Sequence, residues 1–247
     1  MHPLDNPVWS SLVGPHHQLA EGGDLVARYP PEVSHFGGFP EPPEPRHWEA
    51  LEELVGPGGV LIVTGHVGDP PAGWGVEYDG VGIQMIGVHL TATPDEVVAR
   101  RPEVEVVGLG APDAADMLDL VALARPGPFS PRTWELGGYV GVRRDGELVA
   151  MAGQRFHPEG WCEISAVATH PDHRRQGLGE HLVSVVTAGI AARGETPFLH
   201  AAADNTGAVR LYEAMGFTRR RTVRFVATRT PGDGSASPTP TLPPVHR

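Results

Sequence analysis

The chain is 247 residues long, 40% hydrophobic, and carries a formal net charge of −11 at pH 7. Its basic residues are all Arg, which excludes a Schiff-base lysine, a Ser–Lys dyad and a P-loop lysine, and the negative balance argues against general nucleic-acid binding. Cys162 is the single cysteine, so no internal disulfide can form and a reducing, cytoplasmic setting is expected.

The N-terminus, "MHPLDNPVWSSLVG", has neither a basic segment nor a continuous apolar core, so no secretory leader is expected. No run of 18 apolar residues suggests a membrane span. In "EPPEPRHWEALEELVGPGG" a Pro-rich entry leads into a helix with Trp48, Leu51, Leu54 and Val55 on one face, stopped at Gly56-Pro57. "GVLIVTG" (59–65) reads as a short apolar strand. "WGVEYDGVGIQMIGV" (74–88) reads as one or two strands, with Asp79-Gly80 as a plausible hairpin turn. "TPDEVVARRPE" suggests a short helix and then a boundary near residue 100. These readings make residues 1–100 a small α+β domain. It is strongly acidic, with 3 Arg against 14 Asp and Glu.

From 104 the pattern sharpens. "VEVVGL" is a strand, and 113–124 a helix whose stripe takes in Ala114, Met117, Leu118, Val121 and Leu123. Residues 138–156 form a hairpin around Asp145-Gly146, and "WCEISAVAT" (161–169) is the next strand. A helix follows with Leu178, Leu182, Val185, Val186 and Ile190 inward and Gly194 as its stop. Then come a strand at 197–203, a helix capped by Asp204 or Asn205 with Ala208, Leu211, Tyr212 and Met215 on one face, and a last strand at 221–229. The fold class expected is α+β, with a mixed, mostly antiparallel central sheet flanked by helices over 101–229. Residues 230–247, rich in Pro, Ser and Thr, are expected to be a disordered tail.

The chemistry concentrates in "HPDHRRQGLGE" (170–180), between a strand and a helix. A helix N-terminus offers unpaired N–H groups and a partial positive charge. Gly177 and Gly179 clear side chains from the backbone, and Arg174 and Arg175 add charged donors. That combination suits a phosphate or pyrophosphate. It is not the dinucleotide fingerprint, because position 182 is Leu, and it is not a Walker A loop, because there is no Lys.

"RRQGLG" (174–179) fits Q/R-x-x-G-x-G/A, and Asn205 and "LYEAMGF" (211–217) follow on the next helix. With these paired motifs, residues 104–229 resemble the GNAT superfamily of acetyl-CoA-dependent N-acetyltransferases. The resemblance implies that Arg174, Arg175, Gln176, Gly177, Leu178, Gly179 and Glu180 grip the coenzyme A pyrophosphate. It implies that Val167, Ala168 and Thr169 on a splayed strand pair with the pantetheine arm, that Asn205 contacts the same arm, and that Tyr212 protonates the leaving thiolate. For the base, the family pattern points first to Glu163 and second to His200, a departure from the Glu found there in some members; a water relay is the third possibility.

The implied activity is transfer of acetyl from acetyl-CoA directly to a primary amine, with no covalent enzyme intermediate. The alternative is an acyl-CoA-binding sensor with a degenerate site. The acidic first hundred residues hint at a cationic small-molecule or peptide acceptor, and the chain could be a monomer or a homodimer. No metal site is expected: the 13 His are scattered and no HExxH occurs. Cys162 is read as packing.

Overall fold

The computed structural model describes residues 2–232. The chain opens with a short helix α1 (Pro7–Leu12), capped by the Asn6 side chain, then three two-residue strands, β1 (Glu21–Gly22), β2 (Ala27–Arg28) and β3 (Gly37–Gly38), which form a small antiparallel sheet of their own. Helix α2 (Pro45–Val55) starts with Pro at its first position and ends at Gly56, whose φ of 78° needs a glycine. Strands β4 (Val60–Thr64) and β5 (Gly75–Ile86) and helix α3 (Pro94–Ala99) complete the first hundred residues. After them come β6 (Val107–Gly108), α4 (Ala114–Ala124), β7 (Val140–Arg144), β8 (Glu147–Gln154), β9 (Trp161–Thr169), α5 (Leu178–Ala192), β10 (Thr196–Ala202), α6 (Thr206–Ala214) and β11 (Thr218–Arg229).

Eight strands form one sheet in the order β4-β11-β5-β10-β9-β8-β7-β6, in which β9 and β10 run parallel and every other pair antiparallel. The mixed sheet flanked by helices is therefore as expected, but the boundary near residue 100 does not coincide with a break in it. β5 is inserted between β10 and β11, and β4 closes the edge beyond β11. The cores are shared as well. Leu4, Val8, Leu12, Tyr29 and Phe36 pack with Phe156, Phe198 and Ala227 in one buried cluster. A second buried cluster, with Val26, Phe39, Trp48, Leu51, Leu61 and Val63, draws almost wholly on the first hundred residues and is joined to the later strands by Val226.

The hairpin reading of Asp79-Gly80 is also corrected. β5 runs straight through both residues, paired to β11 from Gly75↔Arg229 to Ile86↔Thr218. Local turn preference is overruled because Asp79 spends its carboxylate on the cross-strand Arg224, at 2.9 and 2.8 Å. Strand 104–109 shrinks to Val107–Gly108, with Val104 packed into the core instead. In α4 the buried stripe is Met117, Leu120 and Val121, while Leu123 is exposed; in α5 Val183 is buried and Val185 only partly so.

Helix α5 covers one face of the sheet through Leu178, Leu182, Val183, Val186 and Ile190, joined there by Val209 and Tyr212 of α6. Helix α4 packs against β8 and β9 through Met117, Leu120 and Val121, in a cluster with Met151 and Ala168. Of the expected tail, Thr230 is buried and its N–H donates to Gly59 O at 3.0 Å; residues 233–247 lie outside the described residues. No helix among the described residues is long and apolar enough to cross a membrane.

Candidate active site

The middle of the sheet opens where its two parallel strands part. β9 pairs with β10 only from Trp161↔Thr196 to Ile164↔Leu199, yet β9 continues to Thr169 and β10 to Ala202. The cause is a bulge. Ala166 adopts φ 53°, unusual for a residue with a Cβ, and the β8 register jumps from Ser165↔Gly153 to Ala168↔Met151. Beyond the bulge His170 N–H donates to Val149 O on β8. Alternation along the strand then turns the Val167 and Thr169 N–H groups toward the open side. Ala168 is buried under α4, so its side chain faces away from the gap.

The gap runs into a cavity of about 960 Å³, lined by residues of both strands together with Arg174, Gly179, Asn205 and Tyr212. The loop before α5 closes one end. Arg175 and Gly177 hold φ values of 62° and 72°, and α5 has no side-chain cap. Its first helical bond is His181 N–H to Gly177 O, at 3.0 Å, leaving the N–H groups of Leu178, Gly179 and Glu180 without helical partners. A Cβ on Gly179 would sit 3.4 Å from Thr169 Oγ1 and 3.7 Å from Val167 Cγ1, so the glycine keeps the passage between loop and strand open. Leu178 itself is core and offers only its backbone. Two residues outside the motif shape the loop. Arg101 Nη1 donates to Gln176 O at 2.9 Å, and His170 Nδ1 accepts the Asp172 N–H at 3.3 Å.

Tyr212 is largely buried on α6, and burial pushes its phenol up to about 12. It lines the cavity, and among the described residues no hydrogen-bond partner is recorded for its hydroxyl. Asn205 caps α6 by accepting Ala208 N–H at 3.1 Å on Oδ1, which leaves its amide NH₂ at the cavity wall.

The two base candidates turn out to be neighbours. Glu163 is fully buried and does not line the cavity. Its carboxylate accepts two hydrogen bonds from Arg155, Nε at 2.8 Å and Nη2 at 2.6 Å, a third from His200 Nδ1 at 2.7 Å, and a longer one from Phe156 N–H at 3.3 Å. Burial alone would raise the carboxyl, but the Arg155 guanidinium and then His200 outweigh it and hold it down at about 2. An acid this strong, with its lone pairs engaged, makes a poor proton acceptor, so Glu163 does not have the surroundings of a general base. His200 does line the cavity.

Arg155 was not visible as a site residue in the sequence; its guanidinium lies over the rings of Phe36 and Phe156, at 5.0 and 4.6 Å. Part of the cavity wall comes from the first hundred residues: Phe36, Ile62, Tyr78, Val81 and Gly82. Their acidity does not converge there. Asp79, Glu77 and Asp5 pair with Arg224, Arg229 and Arg220, and Asp204 is the one carboxylate of the described residues that lines the cavity.

Cys162 is buried, donates to Gln154 Oε1 at 3.3 Å, and burial pushes its thiol up to about 12, so it is no nucleophile at neutral pH. Its Sγ lies within 4.8 Å of ligand atoms of His157 and Glu195. Glu195 is already engaged by His157 and by Arg193, the latter at 2.8 Å.

The fold has counterparts among known proteins. A Novosphingobium aromaticivorans crystal structure assigned as a GNAT-family acetyltransferase superposes with a TM-score of 0.82 at 34% identity, covering 95% of this chain and all of that one. The chain belongs to the GNAT family. Residues 139–226 also match the family of FR47-like proteins. The mycothiol acetyltransferase of Streptomyces griseus is 31% identical over 204 residues, which is 81% of this chain and 57% of that protein. The chain thus spans just over half the length of this curated relative. A GCN5-related N-acetyltransferase from Kribbella flavida shares the fold at 18% identity, with a TM-score of 0.56.

Proposed function

We propose that this GNAT protein transfers an acetyl group from acetyl-CoA directly to a primary amine. The observation that carries the reading is the gap between β9 and β10, bounded by unpartnered N–H groups at the α5 N-terminus and by the Tyr212 phenol.

Leu178, Gly179 and Glu180 N–H groups, with Arg174 and Arg175, would hold the pyrophosphate. The free edge of β9 and the Asn205 amide would hold the pantetheine arm. Val167 N–H would donate to the oxygen that becomes negative as the amine attacks. Glu163 and His200, read as alternatives from the sequence, act in series. Glu163 accepts the His200 Nδ1–H and fixes the ring, so the lone pair lies on Nε2, which takes the attacking nitrogen's proton as its hydrogen bond from the Gln84 amide, at 3.1 Å, gives way. A buried carboxylate also stabilises the imidazolium that forms. Tyr212 Oη returns a proton to the sulfur as the carbon–sulfur bond breaks, leaving acetylated amine and free coenzyme A thiol.

The wall of Phe36, Ile62, Tyr78, Val81 and Phe225, with Asp204 as the single lining carboxylate, favours an amine on an apolar or mixed body over a polycation.

The test is release of coenzyme A thiol from acetyl-CoA with a panel of primary amines, in the native protein and in His200→Gln. Turnover with at least one amine, lowered roughly 10²-fold in the variant, is expected. Tight acetyl-CoA binding without any acetylated amine would instead make the protein an acyl-CoA sensor.

A further inference from the structure

Gln84 is a polar residue in the middle of the apolar run "GIQMI" on β5, and it is fully buried. It does not line the cavity. Its amide is tied at both ends. Arg220 Nη1 donates to Gln84 Oε1 at 2.7 Å, and Gln84 Nε2 donates to Leu4 O at 2.9 Å. Either bond alone sets which end of the amide is oxygen; the two agree. The amide NH₂ therefore also faces His200 Nε2, at 3.1 Å, and a donor there requires that ring nitrogen to be an acceptor. On the opposite side, His200 Nδ1 faces the Glu163 carboxylate, an acceptor that requires an N–H. The two constraints specify one state, the neutral Nδ1–H ring with its lone pair on Nε2.

We propose that Gln84 is a positioning residue that holds His200 in the neutral Nδ1–H tautomer, that its hydrogen bond to Nε2 has to break before that nitrogen takes a proton, and that Arg220 and Asp5 hold Gln84 in turn. The inference rests on the assignment of His200 as the base. Arg220 is fixed by donating to Asp5 Oδ1 through Nη2 at 2.6 Å, and Arg221 donates to the same oxygen at 3.0 Å. A flip of the Gln84 amide would set NH₂ against the Arg220 guanidinium and oxygen against Leu4 O, so the chain resists the reverse arrangement. An imidazolium at His200 would point N–H at N–H across the 3.1 Å contact. The charged groups around the ring are Glu163 on β9, Arg155 behind it, and Arg220 on β11 beyond Gln84. The remaining contacts are the Phe198 and Phe225 rings, at 5.8 and 5.2 Å. Gln84, Leu4 and Asp5 all belong to the first hundred residues, which gives that region a part in setting the base as well as in walling the cavity.

The test reads the tautomer first. In ¹⁵N-histidine-labelled native protein at pH 7, with His200 assigned by its loss in His200→Gln, Nδ1 should show the signature of a protonated nitrogen and Nε2 that of a bare one. The reverse pattern, or an imidazolium, would overturn the inference without any appeal to turnover. The second reading uses Gln84→Glu, which keeps the shape, accepts from Arg220, and replaces the donor facing Nε2 by a carboxylate. His200 should then be doubly protonated at pH 7. With the best amine of the panel, the acid limb of kcat/KM should move up by at least about one pH unit. Acetyl-CoA affinity should stay within about twofold and turnover should recover at high pH. A merely structural Gln84 would lower activity at all pH values alike, and an unmoved limb with a lowered plateau would reject the positioning role. If His200→Gln turns over normally, the base assignment fails while the tautomer measurement still stands.

Discussion

The proposed donor half and the proposed acceptor half of the cavity are built by different means. The donor half, on β9, the Arg174–Glu180 loop and the start of α6, uses local backbone features: a bulge at Ala166, left-handed residues at Arg175 and Gly177, and an uncapped helix start. The acceptor half, on Phe36, β4 and β5, uses residues brought in from far along the chain and has no equivalent loop motif. A ligand common to a whole family can be held by backbone, because backbone N–H groups are supplied at any sequence. A ligand particular to one member has to be recognised by side chains, and these come from Phe36, β4 and β5.

If the halves are separable, changes in one should leave the other's ligand alone. Gly179→Glu puts a carboxylate into the space between Thr169 and the loop, and it should abolish acetyl-CoA binding in calorimetry. The melting temperature should stay close to native, because the residue sits on the partly exposed first turn of α5. A variant that still binds normally would detach the loop from the donor site.

Glu163→Gln strikes the junction of the halves. It leaves the buried Arg155 guanidinium short of its counter-charge and should cost about 3–5 kcal/mol in urea unfolding. The native protein should show the matching pH dependence. The Glu163 carboxyl is held at about 2 in the folded chain against an ordinary 4.5. Between those values the unfolded chain binds the extra proton, so stability rises with pH there. The contribution is complete above about 4.5 and is lost as pH falls toward 2. Equal slopes of stability with pH in native protein and Glu163→Gln over that window would show that the pair contributes nothing.

Tyr212→Phe should lower kcat roughly 10²-fold with little change in acetyl-CoA affinity, and unchanged turnover would remove the phenol from the reaction. The smallest effect is expected at the acceptor wall. Tyr78→Ala should raise the amine KM by about tenfold, the scale of one lost side-chain contact, and leave acetyl-CoA affinity as it was. A shift in acetyl-CoA affinity instead would merge the two halves into one site.

The loop before α5 was legible because its signal is local. "RRQGLG" carries its own glycines and charges, and β9, α5, β10 and α6 came within a residue or two of their observed limits because each has a clear period and a stop. The sequence also held the clue that Gln84 matters, a polar side chain in an apolar strand, but not its partners. What failed depends on long-range pairing. Asp79-Gly80 has turn residues, yet β11 and Arg224 hold it extended. The change in charge near 100 carried no sign that β4 and β5 enter the large sheet or that one buried cluster joins Leu4 and Phe36 to Phe198. Glu163 and His200 are 37 residues apart, and only the parallel pairing of β9 with β10 brings their side chains together. Sequence spacing presented them as competitors, whereas the sheet makes them partners.

The most direct measurement is a crystal structure with coenzyme A bound. The account predicts the pyrophosphate on the N–H groups of Leu178–Glu180, the pantetheine arm along the free edge of β9, and the thiol near Tyr212 Oη, with the space toward Phe36 and Tyr78 left open for the amine. Coenzyme A lying outside the gap between β9 and β10, or its thiol turned away from Tyr212 and His200, would contradict it.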